Sequence, residues 1–189
     1  MNRTEQYSLS QTPILQDEWE FVTPIYLVQG IKGRINILEL GIGDMGYLYG
    51  MASIINKVSN IVSIDYENDT EPGTPLYSSK LQVCETLYAQ QVNCYGIELK
   101  SAKEDIEKII LDIAASYYIF VVEPFKDKSF FEKEITKYIN MLKPNIVIFK
   151  GVYSKDWSYD FFQEMAKDTN YFIFKAPESN YGIGGIFKK

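Results

Sequence analysis

The chain has 189 residues, with 19 Lys and Arg against 25 Asp and Glu, a formal net charge of −6, two cysteines and no histidine. This length suits one domain that buries about 70% of the surface of its unfolded chain. The 46% hydrophobic and 23% charged residues exclude wholesale disorder. Without histidine, the chain cannot build a Ser-His-Asp triad, a Cys-His pair or an HExxH zinc site, and two cysteines are too few for a zinc ribbon.

Charge and hydropathy also restrict the partners and the location. A negative chain whose only arginines are Arg3 and Arg34 is poorly suited to a broad phosphate-binding face, so we expect no general binding of nucleic acid. The N-terminal residues lack the apolar core of a signal peptide, and no apolar run reaches the roughly 20 residues that cross a bilayer. We therefore expect a cytoplasmic protein without membrane spans.

Apolar runs of strand length alternate with longer stretches of helical spacing, a pattern typical of a parallel sheet with crossover helices. After a polar lead-in (1–17), we predict in chain order a helix over 18–29 interrupted at Pro24, strand 35–40, helix 45–58, strand 61–64, helix 77–90, strand 94–99, helix 103–116, strand 118–123, helix 130–142, strand 145–150, helix 159–167, and strands 171–175 and 182–187. The last two strands are too close for an intervening helix, so we predict an antiparallel hairpin. The expected fold is one Rossmann-like, doubly wound α/β domain over 1–189, with a mostly parallel seven-stranded sheet.

A glycine-rich turn follows the first predicted strand directly and opens a predicted helix. Gly41 and Gly43 permit a tight turn with open backbone N–H groups, and Gly46 lets the helix approach the strand. Asp65, at the end of the second strand, is placed to accept hydrogen bonds from ribose hydroxyls, and Glu67 competes for that role. The pattern indicates a nucleoside-bearing ligand. The alternatives are a structural loop and a solvated carboxylate at the strand end.

The acid two positions before the first glycine, Glu39 in ILELGIGDMG, the acidic strand end SIDYE and the terminal hairpin together resemble a class I S-adenosylmethionine-dependent methyltransferase over residues 18–189. The resemblance implies S-adenosyl-L-methionine as the cofactor. The residues that it implies bind the cofactor are Glu39, Gly41, Gly43, Gly46, Asp65, Ser101 and Ala102. A nicotinamide-binding Rossmann domain fits less well, because it usually lacks both the equivalent of Glu39 and the terminal hairpin.

Within that class, the run from 121 to 154 and the closing YGIGGIFKK are similar to the small-molecule and sugar O-methyltransferase branch. Where that branch has an acid-His pair after the fourth strand, this chain has Glu123-Pro124-Phe125. Where it has a His-Asp pair after the fifth strand, this chain has Lys150-Gly151. The resemblance therefore implies a site that has lost metal ligands and works without a metal ion.

Glu123 and Lys150 lie at the ends of neighbouring predicted strands and are our candidate catalytic residues. We expect them to pair, with desolvation bringing Lys150 toward a neutral form that can act as a base. The alternative is a structural ion pair. Asp127 is a further candidate base or a helix N-terminal acid favoured by the dipole.

Four aromatic residues near the predicted strand ends are candidates for an acceptor pocket or for ordinary packing: Tyr47, Tyr49, Tyr153 and Trp157. The sequence thus favours a metal-independent methyltransferase acting on a small-molecule or sugar hydroxyl, with homodimer formation left open. The alternatives are a catalytically degenerate methyltransferase-like domain with a structural or interaction role, and a binder of nicotinamide or another nucleotide.

Overall fold

A computed structural model describes residues 26, 28–41, 57–65, 85, 91–98, 108, 118–124, 127–175, 177 and 181–187. These ranges include every predicted strand except Leu99. Most of the predicted helices over 45–58, 77–90 and 103–116 lie outside the described residues. Gly43, Gly46, Ser101 and Ala102 lie outside them as well.

One seven-stranded sheet organises the described residues. Its strands are β1 (Ile35–Leu40), β2 (Val58–Asp65), β3 (Asn93–Glu98), β4 (Tyr118–Val122), β5 (Ile146–Lys150), β6 (Asn170–Phe174) and β7 (Ile183–Phe187). The spatial order is β3-β2-β1-β4-β5-β7-β6, with β1 to β5 parallel and β7 antiparallel to both β5 and β6. The predicted mostly parallel sheet and its terminal antiparallel hairpin are confirmed.

Two described helices follow the strands of the second half of the sheet. α1 (Lys128–Leu142) begins after Asp127, whose side chain accepts a hydrogen bond of 2.9 Å from the backbone N of Phe130. α1 ends at Lys143, which adopts a left-handed conformation with φ 47° immediately before Pro144. α2 (Ser158–Ala166) follows β5. Asp127 is therefore an N-cap residue, in keeping with its predicted structural role.

The main hydrophobic core lies between the sheet and these helices. It is a cluster of buried side chains: Leu38, Leu40, Val62, Ile64, Phe120, Val122, Phe131, Ile135, Tyr138, Val147, Phe149, Val152, Phe161, Phe162, Ala166 and Ile186. Because side chains alternate along a strand, Leu38 and Leu40 on this face place Glu39 on the other face of β1. β1 is buried throughout, so Glu39 lies in a buried environment as well.

The largest shift from the predicted strand boundaries is at the start of β2. Val58 was expected to end a helix, but it begins β2 and pairs with Ile35. A ladder of amide side chains extends this part of the sheet, since Asn60 Nδ2 donates to Asn36 Oδ1 at 2.8 Å and Asn93 Nδ2 donates to Asn60 Oδ1 at 2.9 Å. These polar residues interrupt the apolar pattern from which a strand is predicted. In the fold, their side chains form hydrogen bonds with one another across three strands.

The glycine pair of β7 makes room for two aromatic rings, and this leads to a first stability prediction. A Cβ on Gly185 would lie 2.2 Å from Cε1 of Phe172, which is far inside van der Waals contact. We expect Gly185→Ala to lower the free energy of unfolding by about 1–3 kcal/mol, measured by urea denaturation. Combining it with Phe172→Leu should cost less than the sum of the two single changes, because the smaller side chain relieves the clash. Wild-type stability of Gly185→Ala would contradict this packing.

Candidate active site

The polar candidates of the sequence meet at one edge of the sheet. The carboxyl ends of β1, β2, β4 and β5 lie there because these strands are parallel. The start of β7 lies at the same edge because β7 runs antiparallel, with Ile183 opposite Lys150. Glu39 is opposite Ser63 in the β1–β2 pairing. Side chains from five elements can therefore contact one another at this edge.

Lys150 and Glu39 form a buried ion pair at the centre of this edge. The Nζ of Lys150 lies 2.9 Å from Oε1 of Glu39, and the two side chains are 5% and 0% exposed. The hydroxyl of Ser63 donates to the other oxygen of Glu39, Oε2, at 3.0 Å. Both oxygens of the Glu39 carboxylate thus have a hydrogen-bond donor, as a buried charge requires.

The same lysine also holds Glu123. Its Nζ lies 3.0 Å from Oε2 of Glu123, the residue that follows β4. The hydroxyl of Tyr181 donates to Oε1 of Glu123 at 2.8 Å. The expected contact between Glu123 and Lys150 is therefore present, as part of a larger network that runs from Ser63 through Glu39, Lys150 and Glu123 to Tyr181. We call these five residues the edge network.

The prediction that burial brings Lys150 toward a neutral form is wrong. Burial lowers the pKa of the Lys150 ammonium, but the carboxylates of Glu39 and Glu123 together outweigh burial, so this pKa lies above its usual value. Burial raises the pKa of the Glu39 carboxyl, with the Lys150 ammonium and the Ser63 hydroxyl acting in the opposite direction. Lys150 is therefore a fixed positive charge and not a base.

Glu123 is the charged member of the edge network with the most access to solvent. Its side chain is 17% exposed, compared with 5% for Lys150 and 0% for Glu39. Of the three charged side chains, Glu123 is therefore the one open to a small molecule at this edge. The chemistry open to the site is hydrogen bonding to, or proton acceptance from, a neutral donor at Glu123.

The described residues include part of the predicted cofactor site. Gly41 has φ 79°, a left-handed conformation that favours glycine, and its N–H donates to the carbonyl of Ile64 at 3.1 Å. The chain therefore turns sharply where β1 ends. Asp65 is the last residue of β2 and is opposite Glu98 of β3. Both residues lie at the same edge as the edge network.

The predicted aromatic candidates beyond β5 differ in their surroundings. Trp157 packs on Phe131, with ring centroids 5.3 Å apart, and so borders the main core. Tyr153 stacks on Tyr159 at 5.1 Å with the ring planes 16° apart, and the Nζ of Lys175 lies 4.9 Å from the centroid of its ring. Burial, with a smaller contribution from Tyr159, raises the pKa of the Tyr153 hydroxyl. Tyr47 and Tyr49 lie outside the described residues.

Other candidate features lie away from this edge. A largely apolar groove of about 360 Å³, lined by Val147, Ile186 and Phe187 among others, lies at the amino end of β5, opposite the edge network.

Within the described ranges, His, Cys, Asp and Glu side chains do not come together in groups of three or more that suit a metal ion. None of the helices in that part of the chain has the length and apolar character needed to span a membrane.

Comparison with known proteins identifies the fold. No protein-family profile and no curated protein sequence matches the chain. A candidate caffeoyl-CoA O-methyltransferase from Staphylococcus aureus superposes with a TM-score of 0.65 at 15% identity, over 97% of this chain and 90% of that chain. An O-methyltransferase from Bacillus cereus in complex with SAH gives 0.62 at 12% identity, over 98% and 89%. The chain has the class I methyltransferase fold.

The same fold is shared by proteins with different acceptors. Precorrin-6y C5,15-methyltransferase from Geobacter metallireducens superposes with a TM-score of 0.62 at 12% identity, over 93% of this chain and 90% of that chain. The methyltransferase fold alone therefore does not determine which atom receives the methyl group.

Sequence reasoning missed two members of the edge network. Ser63 was read only as part of a strand, although it is opposite Glu39 in the β1–β2 register and so lies on the same face of the sheet. Tyr181 was read only as part of a closing motif. The signal that could have found it is the predicted hairpin, because the start of an antiparallel strand lies beside the carboxyl ends of its parallel neighbours.

Proposed function

We propose that the chain is an S-adenosylmethionine-dependent methyltransferase that works without a metal ion and transfers the methyl group to a hydroxyl of a small molecule or sugar. The observation that carries the proposal is the buried Lys150 held between Glu39 and Glu123, at the edge of a class I methyltransferase fold. The partly exposed Glu123 carboxylate at the carboxyl ends of the parallel strands supports a role in acceptor binding.

The residues present fit a cationic cofactor. With Lys150 protonated, the cluster of Glu39, Lys150 and Glu123 has a net charge of 0 or −1, depending on the proton of Glu39, and so does not repel a sulfonium ion. We assign Glu39, Gly41 and Asp65, with Gly43, Gly46, Ser101 and Ala102, to cofactor binding. Glu39 is also the partner of Lys150. The cofactor, when bound, supplies an electrophilic methyl group, so the chain mainly has to position the acceptor.

The contacts of the two carboxylates support a reaction without a metal ion. Among the described residues, Glu39 and Glu123 converge on one point at this edge, so their oxygens are candidate ligands for a divalent cation there. One oxygen of each faces the Lys150 ammonium at 2.9 or 3.0 Å, and the ammonium occupies the space between them. The lysine therefore supplies the positive charge that a metal ion would otherwise bring.

In this proposal Glu123 and Lys150 have different roles. Glu123 accepts a hydrogen bond from the acceptor hydroxyl and takes up its proton as the methyl group is transferred. Lys150 keeps the Glu123 carboxylate in place and does not itself remove a proton. An oxygen acceptor agrees with the O-methyltransferase names of the Staphylococcus aureus and Bacillus cereus structures.

A second candidate function is a methyltransferase-like domain that binds the cofactor without catalysis. The observation that favours it is that each oxygen of the Glu123 carboxylate already has a donor, from Lys150 on one side and Tyr181 on the other. Two of the hydrogen-bonding positions of this carboxylate are thus already taken within the fold. The two functions differ in turnover and not in cofactor binding.

Replacing Glu123 tests the catalytic proposal. We expect Glu123→Gln to lower kcat at least about a hundredfold, the usual contribution of a general base, while the Kd for S-adenosylhomocysteine stays within about twofold. Transfer of labelled methyl groups to phenol, glucose and glycerol measures kcat, and calorimetry measures binding. Glu132→Gln is the matched control, because Glu132 forms an exposed ion pair with Lys128 on α1. Unchanged kcat in Glu123→Gln would remove Glu123 from catalysis.

A further inference from the structure

We propose that Tyr181 is a positioning residue that fixes the orientation of the Glu123 carboxylate for methyl transfer; the inference rests on the proposed function. Tyr181 belongs to the segment before β7, far from Glu123 in sequence. Its hydroxyl donates to Oε1 of Glu123 at 2.8 Å, while the Lys150 ammonium contacts Oε2 at 3.0 Å. Two donors from different elements thus hold the two oxygens of one carboxylate.

The backbone around Tyr181 is fixed to the segment that follows Lys150. The N–H of Tyr153 donates to the carbonyl of Tyr181 at 2.9 Å, and the N–H of Gly151 donates to the carbonyl of Gly182 at 2.9 Å. Gly182 has φ 64°, and a Cβ there would lie 2.5 Å from Cδ2 of Tyr153. Glycine is therefore required beside Tyr181, and the phenol is presented to Glu123 from a well-defined backbone.

The phenol acts against a specific rearrangement of Glu123. Glu123 follows the end of β4, where its backbone N–H donates to the carbonyl of Leu40 at 3.1 Å, so its side chain leaves a fixed point. Without the phenol, the carboxylate is free to turn and present both oxygens to the Lys150 ammonium. Tyr181 keeps Oε1 directed away from Lys150, at the more exposed end of the edge network.

Tyr181→Phe removes the hydroxyl and keeps the ring. We expect kcat for methyl transfer to phenol, glucose or glycerol to fall about tenfold, while KM for S-adenosylmethionine stays within about twofold. Tyr171→Phe is the matched control, because Tyr171 on the edge strand β6 is 50% exposed and its ring packs on Phe162. An equal loss of kcat in both variants would overturn the positioning role.

A double-mutant cycle separates positioning from a merely structural effect. If Tyr181 acts through Glu123, Tyr181→Phe changes kcat in the wild type but has no further effect in Glu123→Gln, whereas Tyr171→Phe has the same effect in both backgrounds. If the wild type is active and Tyr181→Phe lowers kcat equally in both backgrounds, the inference is overturned and the proposed function stands.

The same four proteins can be compared by their free energies of unfolding in urea, a measurement that does not depend on turnover. Non-additive unfolding free energies for Tyr181→Phe and Glu123→Gln support the contact itself, and additive ones overturn the inference whatever the activity. A wild type that binds S-adenosylhomocysteine, shows coupling in unfolding and transfers no methyl group would overturn the proposed function, and the catalytic part of this inference with it.

Discussion

Lys150→Met is expected to lower the free energy of unfolding by about 3–5 kcal/mol near neutral pH, because it leaves buried acid without its counter-charge. Glu39 has no exposed surface, and one of its two oxygens faces the lysine. Water cannot replace the ammonium there without opening the site. Urea denaturation of the two proteins at several pH values measures the difference.

The pH dependence of this loss has a definite sign. Without Lys150, Glu39 keeps the raised pKa that burial causes and loses the ammonium that opposes it. Above the usual carboxyl pKa of 4.5, the native variant then binds more protons than its unfolded chain, so its stability falls as the pH rises. We expect a smaller deficit at pH 5 than at pH 8. In the wild type, the stability that comes from the raised pKa of Lys150 is lost only at strongly alkaline pH.

A double variant provides the control for this prediction. Glu39→Gln combined with Lys150→Met removes both buried charges and leaves Glu123, which is partly exposed to water. We expect the double variant to recover most of the stability lost by Lys150→Met and to lose its extra pH dependence. A Lys150→Met protein as stable as the wild type at pH 8 would show that the buried ion pair does not support the fold.

Asp65→Ala is expected to weaken S-adenosylhomocysteine binding about ten- to a hundredfold, the usual effect of losing hydrogen bonds to a charged acceptor. Asp65 ends β2 at the same edge as Glu39 and the turn at Gly41. Glu67→Ala is the matched control, since Glu67 is the competing acid two residues further on. Titration calorimetry of both variants measures the dissociation constants. A loss confined to Glu67→Ala would transfer the ribose role to that residue.

The succession of strands along the chain and the terminal hairpin were predictable because they follow from local patterns. Short apolar runs, helical spacing between them and the brief gap before residue 182 are all properties of neighbouring residues. The start of β2 was not predictable in this way. Its residues Val58 to Asn60 are stabilised by an amide ladder from Asn36 to Asn93, which joins positions distant in the sequence.

In the candidate site, too, some features were predictable from local patterns and others depend on residues distant in the sequence. The pairing of Glu123 with Lys150 was predictable, since both end adjacent parallel strands. The charge state of Lys150 was not, because it depends on the second carboxylate, Glu39, on its other side. The two carboxylates raise the pKa of Lys150 by more than burial lowers it. The candidate base is therefore a fixed positive charge. Only the sheet order, β1 beside β4 and β4 beside β5, brings the three together.

Thermal unfolding of the wild type tests directly whether this fold binds S-adenosylmethionine. A ligand that binds only the folded chain stabilises it by about 2.7 kcal/mol at a hundredfold excess over its Kd. We expect S-adenosylmethionine and S-adenosylhomocysteine to raise the Tm by several degrees, and NAD and ATP to leave it unchanged. A well-folded sample whose Tm responds to neither adenosyl ligand, or responds to NAD instead, would contradict the account.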